Sequence, residues 1–135
     1  MKKIIAGLLI ASAMFTFGCS GRNAEFGVVD LHKVQTEATF FKTTVESANQ
    51  QMADLNKEAM GAIEGKSEEE AKKLLSEYQA KAQLIQSEAD NKLKASLDAA
   101  LSQVAKEKEL GAILVKEAVP QGGTDVTADV IAKIK

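Results

Sequence analysis

Few residues of this chain could do chemistry, and those few are solitary. His32 is the only histidine and Cys19 the only cysteine among 135 residues. A Ser-His-Asp relay needs a histidine beside a nucleophile, and a zinc site needs three or four ligands drawn from Cys, His and carboxylates. With one of each, neither can be assembled within the chain, and His32, just after a short apolar run, reads as a structural or surface residue. Carboxylates are plentiful, but Glu68-Glu69-Glu70 and Glu107 with Glu109 suit helix capping and solvated helix faces better than acid–base pairs. Gly122-Gly123 is a turn and not a phosphate-cradling loop. No catalytic residue, no metal ligand and no cofactor is expected, and the chain is not read as an enzyme.

Cys19 has a different chemistry. It follows a cationic start, Met1-Lys2-Lys3, and an uncharged apolar run from Ile4 to Phe17. Such a run reaches about 21 Å as a helix, short of the roughly 30 Å of a bilayer's hydrocarbon, so it reads as an export signal, residues 1–18. Thr16-Phe17-Gly18-Cys19 resembles the lipobox of bacterial lipoproteins, in which the cysteine sulfur is acylated and becomes the first mature residue. Cleavage after Gly21 is the alternative. Two acyl chains give stable anchoring, and Ser20, not Asp, after the cysteine favours the outer membrane. The expected location is therefore periplasmic, lipid-anchored to the outer and less favourably the inner membrane, with residues 19–25 as a tether.

The elements that position everything else are helices. Hydrophobic residues make up 45% of the chain and charged residues 27%, ordinary for a folded protein, yet aromatic residues are only 4% and tryptophan is absent. A compact globule leans on large rings to fill its core; Ala, Leu, Lys, Glu and Gln point instead to long helices. The net charge of −2 gives no basic excess for releasing counterions from phosphate, so nucleic acid is not an expected partner. Loss of the signal with Lys2 and Lys3 makes the balance more acidic still.

From Lys33 to Leu110 there is no proline, and glycine occurs only at Gly61 and Gly65. Val34, Ala38, Phe41, Val45, Ala48, Met52, Leu55, Ala59 and Ala62 step alternately by four and three, and Ala71, Leu75, Tyr78, Ala82, Ile85 and Ala89 repeat that rhythm. Two further steps of four reach Leu93 and Leu97, a stutter that unwinds a supercoil locally. Ser67 and Glu70 form a capping box at the start of the second arm. The pattern predicts an antiparallel helical hairpin over 33–110 with its tip near 61–67. Its Ala-rich stripe is thin, so a free hairpin would be marginal and needs support at its base.

That base is expected from 26–32 and 111–135. Phe26 to Leu31 and Ala112 to Val119 read as strands, Pro120 to Gly123 as a turn, and Ala128 to Ile134 as a short helix capped by Thr127. So few short strands are insufficient alone, and sheet edges joined between copies would complete them. The fold class is thus α+β, mostly α: a long helical hairpin on a small β body built by oligomerisation, with Val28, Leu31, Ile113 and Val115 as body residues.

The layout resembles the Skp/OmpH family of periplasmic chaperones over nearly the whole mature length. The resemblance is carried by Phe26-Gly27-Val28-Val29-Asp30-Leu31-His32-Lys33-Val34, by Ala112-Ile113-Leu114-Val115-Lys116-Glu117-Ala118-Val119, and by the closing DVTADVIAKIK from Asp125. It implies a homotrimer whose helical tentacles surround a cavity that holds unfolded outer-membrane β-barrel proteins without ATP. Two features depart from the family: tentacles that are not basic, and the lipid anchor. No lipopolysaccharide site is carried over. Phe40, Met60, Ile63 and Leu84 lie off the seven-residue stripe, where they serve either flank packing or client contact. A structural or adaptor coiled-coil lipoprotein of the envelope is the other function considered.

Overall fold

The computed structural model describes residues 25–135; the export segment, Cys19 and most of the tether lie outside the described residues. The chain is mostly helical with one small sheet. Its order is β1 (Phe26–Val29), α1 (Leu31–Glu37), α2 (Thr39–Ile63), α3 (Glu68–Glu107), β2 (Ala112–Val115), a 3-10 turn (Lys116–Ala118), β3 (Thr124–Asp125) and α4 (Thr127–Lys133).

The first strand stops two residues earlier than expected. The Asp30 carboxylate accepts from the Lys33 amide at 3.0 Å and caps α1, so Leu31 opens a helix and does not extend the strand. Nor is the helix that follows continuous. Ala38 takes an extended backbone (φ −69°, ψ 118°), and α2 restarts at Thr39 with no side-chain cap. Nothing in Gln35-Thr36-Glu37-Ala38-Thr39 breaks a helix locally. Tertiary packing does, because the break turns Val34, Ala38 and Phe41 into one buried cluster. Between α2 and α3, Gly65 adopts φ +75°, and Ser67 and Glu70 exchange hydrogen bonds as the capping box requires, at 3.2 and 3.4 Å.

The long helix α3 runs for 40 residues, about 60 Å at 1.5 Å per residue. It ends at Glu107, not Leu110. The Leu110 amide donates back to the Ala105 carbonyl at 2.9 Å and the Glu109 amide to the Lys106 carbonyl at 3.3 Å, a Schellman closure whose left-handed position usually holds glycine. Here Glu109 occupies it at φ +52°. Left-handed backbone costs an L-residue about 1–2 kcal/mol. Glu109→Gly is therefore expected to stabilise the fold by about 0.5–1 kcal/mol, after glycine's extra unfolded-state entropy is deducted; urea unfolding measures it.

The sheet has strand order β2-β1-β3 with both pairings parallel: Phe26 to Val29 face Ala112 to Val115, while Gly27 and Val28 face Thr124 and Asp125. Ala112 to Val119 divides into a strand and a 3-10 turn, so the expected second strand is half as long as it reads. Two parallel partners of one strand require the chain to cross that strand between Val115 and Thr124. The crossing presses Gly122 and Gly123, at φ +93° and +84°, against Phe26. A methyl group on Gly123 would stand 2.6 Å from Phe26 Cε2 and 2.8 Å from Val28 Cγ1. Gly123→Ala adds that overlap to left-handed strain and is expected to cost about 2–4 kcal/mol, lowering the thermal midpoint accordingly.

One apolar core gathers at this end of the molecule. Val29, Val34, Ala38, Phe41, Ala100, Val104, Val126, Val130 and Ile134 are buried together, with Leu97, Leu110 and Ile113 packed on them. Thr127 does not cap α4. Val126 holds that position, and buried Thr127 instead accepts the Asp30 amide on its hydroxyl at 3.0 Å, across 97 residues. The Asp125 carboxylate in turn accepts from the Thr127 amide at 3.0 Å.

These polar ties respond to acid. Hydrogen bonding from Thr127, assisted by Lys116 and Lys33, holds the Asp125 carboxyl below its ordinary 3.8. Hydrogen bonds from Lys133 (2.7 Å) and Gln103 hold Glu107 below its ordinary 4.5. A carboxyl with a depressed folded pKa stabilises fully above its unfolded value and loses that contribution as pH falls through the folded one. The thermal midpoint should thus be flat near neutrality and fall below the ordinary carboxyl range. Asp125→Asn should flatten the acid limb.

Candidate functional site

The core ends where the long helices leave the base. Along α2 beyond Phe41 no residue is buried, and along α3 the last buried residue before Glu68 is Ala89. Contacts between the two helices continue outward. Near their far ends, Tyr78 Oη donates to Glu58 Oε1 at 3.0 Å, and Lys81 Nζ lies 3.9 Å from the same oxygen and 4.7 Å from the Tyr78 ring centroid. Partial desolvation, then the Glu58 carboxylate, raises the Tyr78 phenol above its ordinary 10.0. Such exposed links steer register more than they stabilise.

The stripe residues are mostly half-buried, with two exceptions that the four-three rhythm assigned to it. Val45 and Leu75 are each 46% exposed; Thr44 and Leu74 take their inward places. The thin stripe has a second consequence. With Ala48 and Ala89 facing across it, a groove of about 330 Å³ opens along one flank, lined by Phe40, Thr43, Ser47, Ile85, Glu88 and Lys92. A recess of about 500 Å³ opens at the outer side of the α1–α2 break, beside Phe41 and Val45.

Phe40, Met60, Ile63 and Leu84 are not brought together. Phe40 is half-buried against the base core, Met60 (76% exposed) and half-buried Ile63 line a shallow recess at the end of α2, and Leu84 stands 60% exposed midway along α3. Together with Val45 and Leu75 they leave apolar side chains dispersed along both helices, in no enclosed cavity.

In the base, Val28 is buried within its own chain and Ile113 packs inward against the core, while Leu31 lies in α1. The outward apolar surface belongs to β2. Val115 is 37% and Leu114 43% exposed, on a strand paired along only one of its edges among the described residues. Leu114 was legible in principle: strand alternation sends it opposite to Ile113. An open apolar edge is a template for another strand.

His32 is exposed, and among the described residues no three His, Cys, Asp or Glu side chains are grouped to hold a metal. No described helix is long and apolar enough to cross a membrane. No protein-family model matches the chain, and no curated protein does.

Proposed function

We propose that this chain is an ATP-independent holding chaperone for unfolded outer-membrane proteins, anchored in the cell envelope through acylated Cys19 and working as a homotrimer of the Skp kind. In this reading α2 and α3 act as one antiparallel hairpin, a tentacle, and three bases join through the open edges of their sheets. The observation that carries it is the contrast between the two ends of the chain. Apart from Ala89 on α3, the buried apolar residues sit at the base, whereas the long helices keep Val45, Met60, Leu75 and Leu84 in contact with water. Dispersed apolar side chains on a long scaffold suit a client with no fixed shape, since flexible contacts such as methionine repack against many sequences.

Binding without nucleotide is then mass action. An unfolded client held between tentacles keeps its strand edges from pairing with other chains and is released when folding into the membrane competes. Light scattering of a denatured outer-membrane barrel diluted from urea tests the reading. Suppression that saturates near one assembly per client, with no nucleotide present, is expected. Unchanged aggregation at excess protein rejects it and favours an adaptor that docks a folded partner.

A further inference from the structure

The two long helices are not held together evenly along their length. Toward the base each carries buried residues, the outermost being Phe41 on α2 and Ala89 on α3. Across Ala48 and Ala89 a groove of about 330 Å³ then cuts into one flank of the contact. Beyond it, over residues 49–88, no side chain is buried. Glu58 is tied across to Tyr78 and Lys81 there, but by exposed links that contribute little. Gly61 lies within α2 with nothing within 4 Å of where a side chain would begin, so it weakens the helix without easing any close contact.

We infer that residues 49–88 form an opening unit of their own: α2 and α3 part there and unwind together while the base stays folded. A helix in a protein takes most of its stability from packing, so neither arm persists once the other has left it. Segments with few buried apolar contacts open at a lower free energy than the whole molecule. Opening uncovers Met52, Leu55, Leu74, Tyr78 and Ile85, all half-buried while the helices are together. The apolar surface offered outside the base is thereby set by an equilibrium within the chain. The inference rests on the antiparallel pairing of α2 with α3 and not on the holding of a client.

Hydrogen-exchange mass spectrometry of the purified protein at neutral pH tests it. After correction for intrinsic rates, amides of 49–88 are expected to exchange at least about a hundredfold faster than those of 97–107 and of α4. Val130→Ala, in the buried core of the base, should speed exchange of the base by at least about tenfold and leave 49–88 unchanged. Gly61→Ala should slow 49–63 and 68–88 by the same factor, about twofold or more, because one event opens both. Equal protection at the two ends of the molecule, or exchange of 49–88 that speeds up with Val130→Ala, overturns the inference. Should Val130→Ala fail to fold, Gly61→Ala still decides, since its added methyl group enters open space. Slowing confined to 49–63 would mean that each helix frays alone, which removes the pairing of α2 with α3 and the inference with it. No slowing in either arm removes the inference and leaves the pairing.

Discussion

Phe41→Ala is expected to lower the unfolding free energy by about 3–5 kcal/mol, a large part of the margin of a small domain. Among the described residues Phe41 is the only aromatic ring that is buried, and it sits where Val34 and Ala38 of the broken helix meet Ala100 and Val104 of α3. Alanine there leaves a cavity lined by short aliphatic side chains that cannot collapse into it. Leu84→Ala removes a similar apolar bulk from a position 60% exposed and should change stability by no more than about 0.5 kcal/mol. Urea unfolding followed by circular dichroism, at one fixed protein concentration, measures both. Equal effects at the two sites would mean that the long helices, and not the base, carry the stability.

Leu114→Lys should have its largest effect on assembly. A lysine on an edge strand is a common natural guard against edge-to-edge pairing. The side chain it replaces is 43% exposed in the single chain, opposite Val28 in the register, so the fold itself should lose at most about 1 kcal/mol. Burying that charge between copies without a partner would cost several kcal/mol, enough to weaken association by at least about a hundredfold. Sedimentation velocity should then find single, folded chains where the unmodified protein is assembled, with client holding lost alongside. An unchanged mass would exclude β2 from the contact between copies.

Much of the architecture could be read from residue spacing, because in a long helix the inward positions follow from period alone. The stripe on α3 holds from Tyr78 to Val104 as half-buried or buried positions, and the Ser67–Glu70 capping box forms as its residue types require. What could not be read depends on contacts distant in sequence. Ala38 is a good helix former, and its break exists because α1 and α2 both turn apolar residues toward α3 and α4. Thr124–Asp125 is too short to announce itself as a strand and is one only because Gly27 and Val28 offer it an edge. Glu109 fills a left-handed place that glycine usually fills where a helix closes this way, so the end of α3 reads three residues late.

The surfaces divide in the same way. Met60 and Leu84 stand out as off-stripe apolar residues from spacing alone, and both face solvent. Val45 and Leu75 fit the four-three rhythm yet are exposed, because a stripe of half-buried alanines is too narrow to enforce one rotation of each helix. Val28 reads as a residue of the base and is buried there, and what encloses it, the turn at Gly123, lies 95 residues away in the chain, beyond the reach of local pattern.

Native mass spectrometry of the delipidated protein, mixed with an outer-membrane barrel diluted from urea, is the most direct test of the holding mechanism. The expected spectrum holds two species without nucleotide: three copies alone, and three copies with a single client chain. A spectrum of single copies with no client attached would contradict it.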